Sequence, residues 1–138
     1  MNKTAIFEWP LRVYIEDTDA GGIVYYVNYL KFMERARTEL LRSQGFEKQC
    51  IFDADLMFVV HGLNSEYLKP ARLDDQLVVT AKVTRHGKAY MLMEQRVYRQ
   101  NSEIRELLCR AEVKLACVDK QTIKPKRIPA ELLSVLSN

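Results

Sequence analysis

Glycine and proline are scarce in this sequence, with 5 Gly and 4 Pro among 138 residues. Collagen-like and low-complexity chains contain far more of both, so those classes are excluded. Hydrophobic residues at 48% and charged residues at 28% are instead typical of a globular chain with a packed core. Because this length lies near the common size of one domain, we expect a single domain over residues 1–138.

The sequence also lacks a long hydrophobic run and a strong excess of one charge. Apolar runs such as Ile23–Val27 are far shorter than the roughly 20 residues of a membrane-spanning helix. The first residues do not contain the apolar core of a signal peptide. We therefore expect a cytoplasmic protein without stable membrane insertion. A formal charge of +3 is too small to predict nucleic-acid binding.

Cysteine and histidine are rare and are not arranged as ligands. The three cysteines, Cys50, Cys109 and Cys117, form no CxxC pair, and His61 and His86 have no metal-ligand spacing. If Cys109 and Cys117 share a strand, about 26 Å separate them, too far for a disulfide. We therefore expect buried thiols, and neither a metal nor another cofactor.

The first third of the chain predicts a strand, a turn and a helix. Apolar and polar residues alternate over residues 11–16, which predicts a strand that ends in the acidic turn Glu16–Gly22. Apolar residues then recur at three- and four-residue steps over Leu30–Leu41. This pattern predicts a helix of about 16 residues, with Asn28 as its N-cap and Gly45 as its stop.

Four strand-like segments follow, and a short helix ends the chain. The predicted strands are Leu56–Tyr67, Leu77–Thr84, Ala89–Arg99 and Leu107–Val118. The predicted helix is Ala130–Leu136. No series of parallel strands with crossover helices is available, which excludes doubly wound folds. The simplest packing is an α+β fold in which one long helix lies across a curved antiparallel sheet of about five strands. The uncovered sheet edges predict a homodimer.

The turn between the first strand and the helix has two interpretations. Asp17 and Asp19 are ordinary turn residues that bond nearby amides, with Gly21 and Gly22 providing positive φ angles. Alternatively, a carboxylate held just before a helix lies beside free N–H donors that can stabilise an oxyanion. The apolar run Ile23–Tyr26 then provides a dry wall for an acyl group. The residues by themselves leave both interpretations open.

A longer motif includes this turn. The pattern YxEDTDAGGxVYxxxYLxxxERARTExL covers Tyr14–Leu41, and EYxxPARLDD covers Glu66–Asp75. Together with Val118–Asp119 and Lys124–Pro125, these segments resemble the hotdog-fold acyl-CoA thioesterases, and most closely the YbgC type, which is associated with the Tol-Pal envelope system. The resemblance implies a hotdog fold, hydrolysis of acyl-CoA without a metal, and active sites at a dimer interface. A tetramer of two dimers is the further expectation.

The resemblance also implies the site residues. The family's catalytic aspartate falls on Asp19, as nucleophile or general base. In the related 4-hydroxybenzoyl-CoA thioesterases, a backbone N–H at the helix start polarises the thioester carbonyl, and here that position is Tyr26. Among the exposed cations, similarity favours Lys88 as a contact of the CoA phosphates. The remaining substrate contacts are expected at Gly22, Tyr25 and Asn28.

One departure and several alternatives accompany this hypothesis. Tyr26 stands where the YbgC type usually has a histidine, and Tyr26–Tyr29 is more similar to the hydroxybenzoyl-CoA branch. Glu66 is interpreted as a strand glutamate rather than a second active-site acid, and His61 as a packed strand histidine. The alternative function is a non-catalytic module that binds acyl groups, acyl carrier protein or enzymes of lipid synthesis. Acyl carrier protein is also an alternative carrier of the substrate.

Overall fold

The computed structural model describes residues 6–45 and 55–136. Its strands are β1 (Phe7–Arg12), β2 (Leu56–Tyr67), β3 (Gln76–His86), β4 (Tyr90–Asn101) and β5 (Ile104–Asp119), and its helices are α1 (Tyr26–Ser43) and α2 (Ala130–Leu136). The strands form one antiparallel sheet in the order β1-β3-β4-β5-β2. The expected α+β arrangement, one long helix against a five-stranded sheet, is confirmed.

Helix α1 packs on the sheet through one buried stripe. Tyr29, Phe32, Met33, Ala36 and Leu40 are buried at the three- and four-residue steps of a helix face, and they belong to the same apolar core as the inward residues of the sheet. The odd-numbered residues of β4 and of the middle of β5 provide the opposing layer. This stripe fixes the position and rotation of the helix on the sheet.

The ends of α1 match the sequence prediction at one end only. Gly45, with φ +86°, follows the last turn, so the predicted stop is confirmed. The helix begins at Tyr26 with Tyr25 as its N-cap residue, so the prediction of Asn28 as N-cap is wrong. Asn28 lies in the first turn because its side-chain amide bonds to Asp17 instead of capping the helix.

The first strand lies earlier than predicted. Strand β1 ends at Arg12, so the predicted strand over residues 11–16 is confirmed at residues 11–12 and wrong beyond them, since Ile15 lies in a 3-10 turn and is 75% exposed. Short-range bonds favour the turn: the N–H of Tyr14 donates to the Asp17 carboxylate at 2.9 Å, and that of Thr18 donates to the Ile15 carbonyl at 3.1 Å. Strand β1 is an edge strand, where a residue without an N–H, Pro10, is tolerated.

A buried amide connects the sheet to the helix. Gln95 on β4 is fully buried, and its Nε2 donates to the carbonyls of Met33 at 3.0 Å and Thr80 at 3.3 Å. Its Oε1 accepts from Arg37 at 2.8 Å. Burial lowers the pKa of Arg37, and this bond supplies part of the lost hydration.

The cysteine prediction is confirmed where the structure describes it. Cys109 and Cys117 are buried free thiols, and burial raises the pKa of Cys109 to about 12. Cys50 lies outside the described residues. Among the described helices, none has the length and hydropathy needed to cross a membrane.

Candidate active site

The acidic turn closes a small hairpin directly before α1. Thr18 pairs with Val24 in an antiparallel bridge, and the Asp19 N–H donates to the Ile23 carbonyl at 2.9 Å. The Gly22 N–H donates to the Asp19 carbonyl at 3.0 Å, which closes the turn at the hairpin tip. Since Val24 lies only two residues before the helix, the hairpin holds Asp19 close to the helix start.

The two glycines of this turn have different roles. Only Gly22 has a positive φ, +82°, and a β-carbon there would meet no atom within 4 Å. Gly21 donates its N–H to Asp19 Oδ1 at 2.8 Å, and a β-carbon at Gly21 would lie 3.3 Å from the same oxygen. Gly22 thus gives the turn its conformation, and Gly21 gives the Asp19 carboxylate its place. The residue as a whole is exposed.

The start of α1 presents backbone donors beside this turn. The Tyr25 N–H donates to the Asp17 carbonyl at 2.9 Å, and the Asn28 N–H donates to the Tyr25 carbonyl at 2.8 Å. Between them, Tyr26 and Val27 have no hydrogen-bond acceptor for their N–H groups among the described residues, as helix geometry requires at a first turn. These N–H groups, at the positive end of the helix dipole, are suited to a developing oxyanion.

A tyrosine-walled groove lies next to the helix start. The rings of Tyr26 and Tyr67 meet edge to face at 5.8 Å, and the rings of Tyr29 and Tyr67 lie 5.6 Å apart. Together with Ile23 and the segment 68–70, these rings line a groove of about 270 Å³. The groove offers an apolar, aromatic surface next to the backbone donors of α1.

The loop from Leu68 to Asp75 forms one wall of this groove, and an ionic cluster holds it. Arg99 donates to Asp75 Oδ2 at 2.7 Å and to the Pro70 carbonyl at 3.1 Å. The same guanidinium donates to Glu106 at 2.9 and 3.2 Å, and Lys69 lies 2.9 Å from the other Glu106 oxygen. The side chain of Arg99 is mostly buried, so this cluster fixes the loop to β4 and β5.

The structure brings together five of the six site residues predicted from the sequence. Those around the hairpin and the first turn of α1 are Asp19, Gly22, Tyr25, Tyr26 and Asn28. Lys88 is exposed in the hairpin between β3 and β4, at the far end of β3 from this site. Because β3 has 11 residues, this far end lies about 33 Å away along the strand. One protomer does not bring Lys88 to Asp19.

Two other sequence candidates lie outside the groove. Glu66 forms an ion pair with Arg110 at 2.5 Å, and it points away from Tyr67 to the sheet face opposite α1, so its interpretation as a strand glutamate is confirmed. His61 lies exposed in a β-bulge between Val60 and Gly62, so its interpretation as a packed histidine is wrong. The bulge moves His61 out of the alternation on which that interpretation depended.

Sequence reasoning did not find the groove wall. The motif EYxxPARLDD was recognised, but the role of Tyr67 as a partner of Tyr26 and the clamp by Arg99 were not. Arg99 and Glu106 carry no local pattern that distinguishes them from other strand charges. Within residues 6–45 and 55–136, no group of three or more His, Cys, Asp or Glu side chains is arranged to hold a metal ion.

Comparison with known proteins identifies the class. Residues 21–105 match the model of the thioesterase superfamily, so the chain belongs to that superfamily and is a thioesterase. It is 43% identical to the acyl-CoA thioester hydrolase YbgC of Escherichia coli O6:H1, over 96% of each chain. It is 46% identical to the acyl-CoA thioesterase YbgC of Haemophilus influenzae, over 91% of this chain and 90% of that one. Within the superfamily, the chain belongs to the YbgC family.

A solved structure confirms the relation in fold to the hydroxybenzoyl-CoA branch. An aspartate-to-asparagine mutant of 4-hydroxybenzoyl-CoA thioesterase, complexed with 4-hydroxybenzoyl-CoA, superimposes with a TM-score of 0.87 over 96% of this chain and 99% of that one, at 18% identity. The predicted hotdog fold is therefore confirmed. The family assignment does not favour the alternative of a non-catalytic module.

The loop clamp predicts a pH-dependent stability. Bonds from Lys69 and then Arg99 lower the pKa of Glu106 below its ordinary value of 4.5. A carboxylate whose pKa is lowered by folding stabilises the folded state above its unfolded pKa and loses that contribution as the pH falls through its folded pKa. We therefore expect Glu106→Gln to lower the free energy of unfolding at neutral pH, and the difference from wild type to shrink as the pH falls below 4.5 and to vanish once the pH lies below the lowered pKa of the folded state.

Urea unfolding of both proteins over an acid pH series measures this difference. Glu103→Gln, in the hairpin between β4 and β5, is the matched control and is expected to show no such pH-dependent loss. A difference between Glu106→Gln and wild type that stays constant from neutral to acid pH contradicts the ionic clamp.

Proposed function

We propose that this protein hydrolyses acyl-CoA thioesters, with Asp19 as the reacting carboxylate and the Tyr26 backbone N–H as the carbonyl-polarising donor. The observation that carries the proposal is the hairpin, which holds the Asp19 turn directly before the unbonded N–H groups of α1. The aromatic groove beside them gives the acyl group an apolar surface. The curated relatives are named acyl-CoA thioesterases, which supports CoA as the thiol.

The chemistry uses the negative charge of Asp19 in one of two ways. As a nucleophile, the carboxylate attacks the thioester carbon, the C–S bond breaks, CoA leaves as the thiolate, and water hydrolyses the mixed anhydride. As a general base, the carboxylate takes a proton from water as the water oxygen attacks the same carbon; the C–S bond then breaks, and the departing CoA thiolate takes up a proton. In both routes the carbonyl oxygen gains negative charge that the Tyr26 N–H stabilises. Both routes release the free acid and CoA.

The other proposed substrate contacts surround this centre. Gly22 leaves open space at the hairpin tip, since a β-carbon there would meet nothing within 4 Å. Tyr25 is half exposed, and its ring packs in a tilted arrangement against Tyr26 of the groove wall, with the ring centres 5.1 Å apart. The predicted contact of Asn28 with substrate stays a prediction; its buried amide, bonded to Asp17, favours a positioning role.

Replacing Asp19 by asparagine tests the chemical role directly. Asp19→Asn keeps the size of the side chain and an oxygen for the Gly21 N–H, but it removes the charge. We expect a folded protein whose kcat falls by on the order of 10²-fold or more, which is the usual range for loss of a positioned base. Binding of a non-hydrolysable acyl-CoA analogue should change little. Thiol release, melting temperature and analogue affinity are the measurements.

The neighbouring acid provides the control for this experiment. Glu16 is exposed in the 3-10 turn, so Glu16→Gln removes one negative charge nearby without removing Asp19. We expect turnover close to wild type for this variant. Near-normal turnover of Asp19→Asn would instead show that Asp19 only shapes the turn.

We also propose that the active unit is a homodimer joined through β2. Strand β2 is a 12-residue edge strand, and its unpaired backbone groups offer a template for another strand. Val60 and Leu63 point toward α1 yet are 51% and 44% exposed, and with Val27 and Leu30 they line an open groove of about 190 Å³. An antiparallel β2 from a second copy satisfies both the edge and the apolar groove.

A charge at the centre of this surface is expected to separate the dimer. Val60→Glu places a carboxylate on the face that the second copy would cover, where its desolvation is costly. Sedimentation should show a dimer or larger assembly for wild type and a monomer for Val60→Glu. Ile104→Glu, at an exposed residue of the hairpin between β4 and β5, is the control and should leave assembly unchanged. A monomeric wild type at micromolar concentration contradicts the proposal.

The dimer gives Lys88 a route to the active site. In each protomer, the Tyr67 end of β2 lies beside the groove, while its Leu56 end pairs with Asp119, near the hairpin that carries Lys88. Antiparallel pairing of two β2 strands places the Leu56 end of one beside the Tyr67 end of the other. We therefore propose that Lys88 of the partner subunit binds the CoA phosphates of the substrate held at Asp19.

A mixed dimer tests this assignment. Lys88→Ala should raise KM for acyl-CoA, and the defect should shrink for substrates truncated to the pantetheine arm. In a dimer of one Asp19→Asn chain and one Lys88→Ala chain, both defects fall in the same site if Lys88 acts across the interface. The other site is then intact, and kcat/KM at low substrate should recover to about half of wild type per dimer.

The opposite outcomes are equally defined. If Lys88 acts within its own chain, neither site of the mixed dimer is intact and kcat/KM does not recover. An equal KM defect on full-length and truncated substrates shows that Lys88 acts structurally. The expected tetramer of dimers, the acyl carrier protein thioester, the cytoplasmic location and the link to lipid metabolism stay predictions.

A further inference from the structure

A second, buried aspartate lies two residues before Asp19. Asp17 is only 5% exposed, and hydrogen bonds hold both of its carboxylate oxygens: the Tyr14 N–H donates to Oδ2 at 2.9 Å, and Asn28 Nδ2 donates to Oδ1 at 3.0 Å. Its backbone carbonyl accepts the Tyr25 N–H at 2.9 Å. A carboxylate with both oxygens bonded and buried is badly placed to attack a substrate or to take a proton from water.

These three bonds join the segments that frame the proposed active site. Tyr14 follows β1 and opens the 3-10 turn, Tyr25 ends the hairpin that carries Asp19, and Asn28 lies in the first turn of α1. The bond to the Tyr25 N–H leaves the Tyr26 N–H as the next free donor of the helix. Asp17 therefore contacts the chain on both sides of the Asp19 turn.

The contact between Asp17 and Asn28 is buried, so water does not compete for either partner of this hydrogen bond. Asn28 is itself only 9% exposed, so its amide donates to Asp17 in a site shielded from water. The pair is held by directional bonds and not by packing alone.

We propose that Asp17 and Asn28 form a positioning pair, which sets the distance and orientation between the Asp19 carboxylate and the Tyr26 backbone N–H. The inference rests on the proposed function, since it assigns the pair to the same reaction. Both side chains are buried and bonded to each other, so in this assignment Asn28 acts on the reaction through Asp17 in place of the substrate contact predicted from the sequence. A displacement of about 1 Å between reacting groups can cost on the order of 10² in rate, which sets the scale of the effect.

Exchanging the two side chains tests the pair. Asp17→Asn alone replaces the acceptor of the Asn28 amide by a second amide, and Asn28→Asp alone places two carboxylates against each other. The double variant Asp17→Asn/Asn28→Asp restores one donor and one acceptor between positions 17 and 28 and keeps an oxygen for the Tyr14 N–H. The exchanged carboxylate also stays in the first turn of α1, where the dipole favours it.

We expect each single variant to lower kcat by about 10- to 100-fold, with KM for acyl-CoA within about threefold of wild type. The double variant should recover kcat to within a few-fold of wild type. All rates are measured below the melting temperature of each variant, with melting temperatures recorded in parallel. Should Asn28→Asp fail to fold, Asn28→Ala removes the donor without adding charge and replaces it in the comparison.

An ion pair on the opposite sheet edge provides the matched control. Glu8 lies on β1, at the sheet edge opposite β2, and accepts the Arg105 guanidinium at 2.7 and 3.2 Å. Glu8→Ala is expected to lower the melting temperature without lowering kcat. Single variants of the pair that lose melting temperature but keep kcat would show a purely structural role and overturn the proposal.

Two further outcomes separate this proposal from the proposed function. A double variant as slow as the single variants would give Asp17 a chemical role of its own and overturn the positioning pair, while the collapse of turnover in Asp19→Asn would leave the proposed function intact. Near-normal turnover of Asp19→Asn would remove Asp19 from the mechanism, whatever the exchanged pair shows. A failure of the positioning pair is therefore detected with the double variant, and a failure of the proposed function is detected with Asp19→Asn.

Discussion

The backbone of one buried residue, Ala71, connects the loop, the helix and the hairpin that form the site. Ala71 is fully buried; its N–H donates to the Tyr29 hydroxyl at 2.9 Å, and its carbonyl accepts the Val24 N–H at 2.8 Å. The residue thereby joins the loop 68–75 both to α1 and to the hairpin that carries Asp19. Burial raises the pKa of Tyr29, so its hydroxyl stays a neutral acceptor for this amide. The Arg99 cluster fixes the same loop from the side of the sheet.

The sequence predicted the long, regular elements well because packing decides them. The bounds of β2 agree with the prediction at both ends, and the buried stripe of α1 follows the predicted period. The prediction failed where short polar bonds decide the backbone. Asp17 takes the N–H of Tyr14 and the amide of Asn28, which ends β1 early and moves the helix start to Tyr26. No periodicity reveals such bonds, because they join side chains to particular amides.

The sequence predicted correctly only those site residues that lie close to one another along the chain. Asp19 and Tyr26 are seven residues apart, and the motif and the hairpin agree on their proximity. Lys88 was assigned to the same site from its charge and family similarity, although the length of β3 carries it to the other end of the sheet. Spacing along the chain cannot indicate which sheet end a loop occupies, nor which ends a second copy brings together.

The proposed role of residue 26 is compatible with a tyrosine, although the YbgC type usually has a histidine at this position. The proposed catalytic atom of this residue is its backbone N–H, which any residue except proline provides. Its ring centre lies 5.1 Å from that of Tyr25 and 5.8 Å from that of Tyr67. We therefore assign the ring to the groove wall and not to proton transfer. A phenol does not act as a base near neutral pH. The change therefore removes one proton-transfer group and leaves Asp19 as the side chain on which the proposed hydrolysis depends, while adding aromatic surface to the groove.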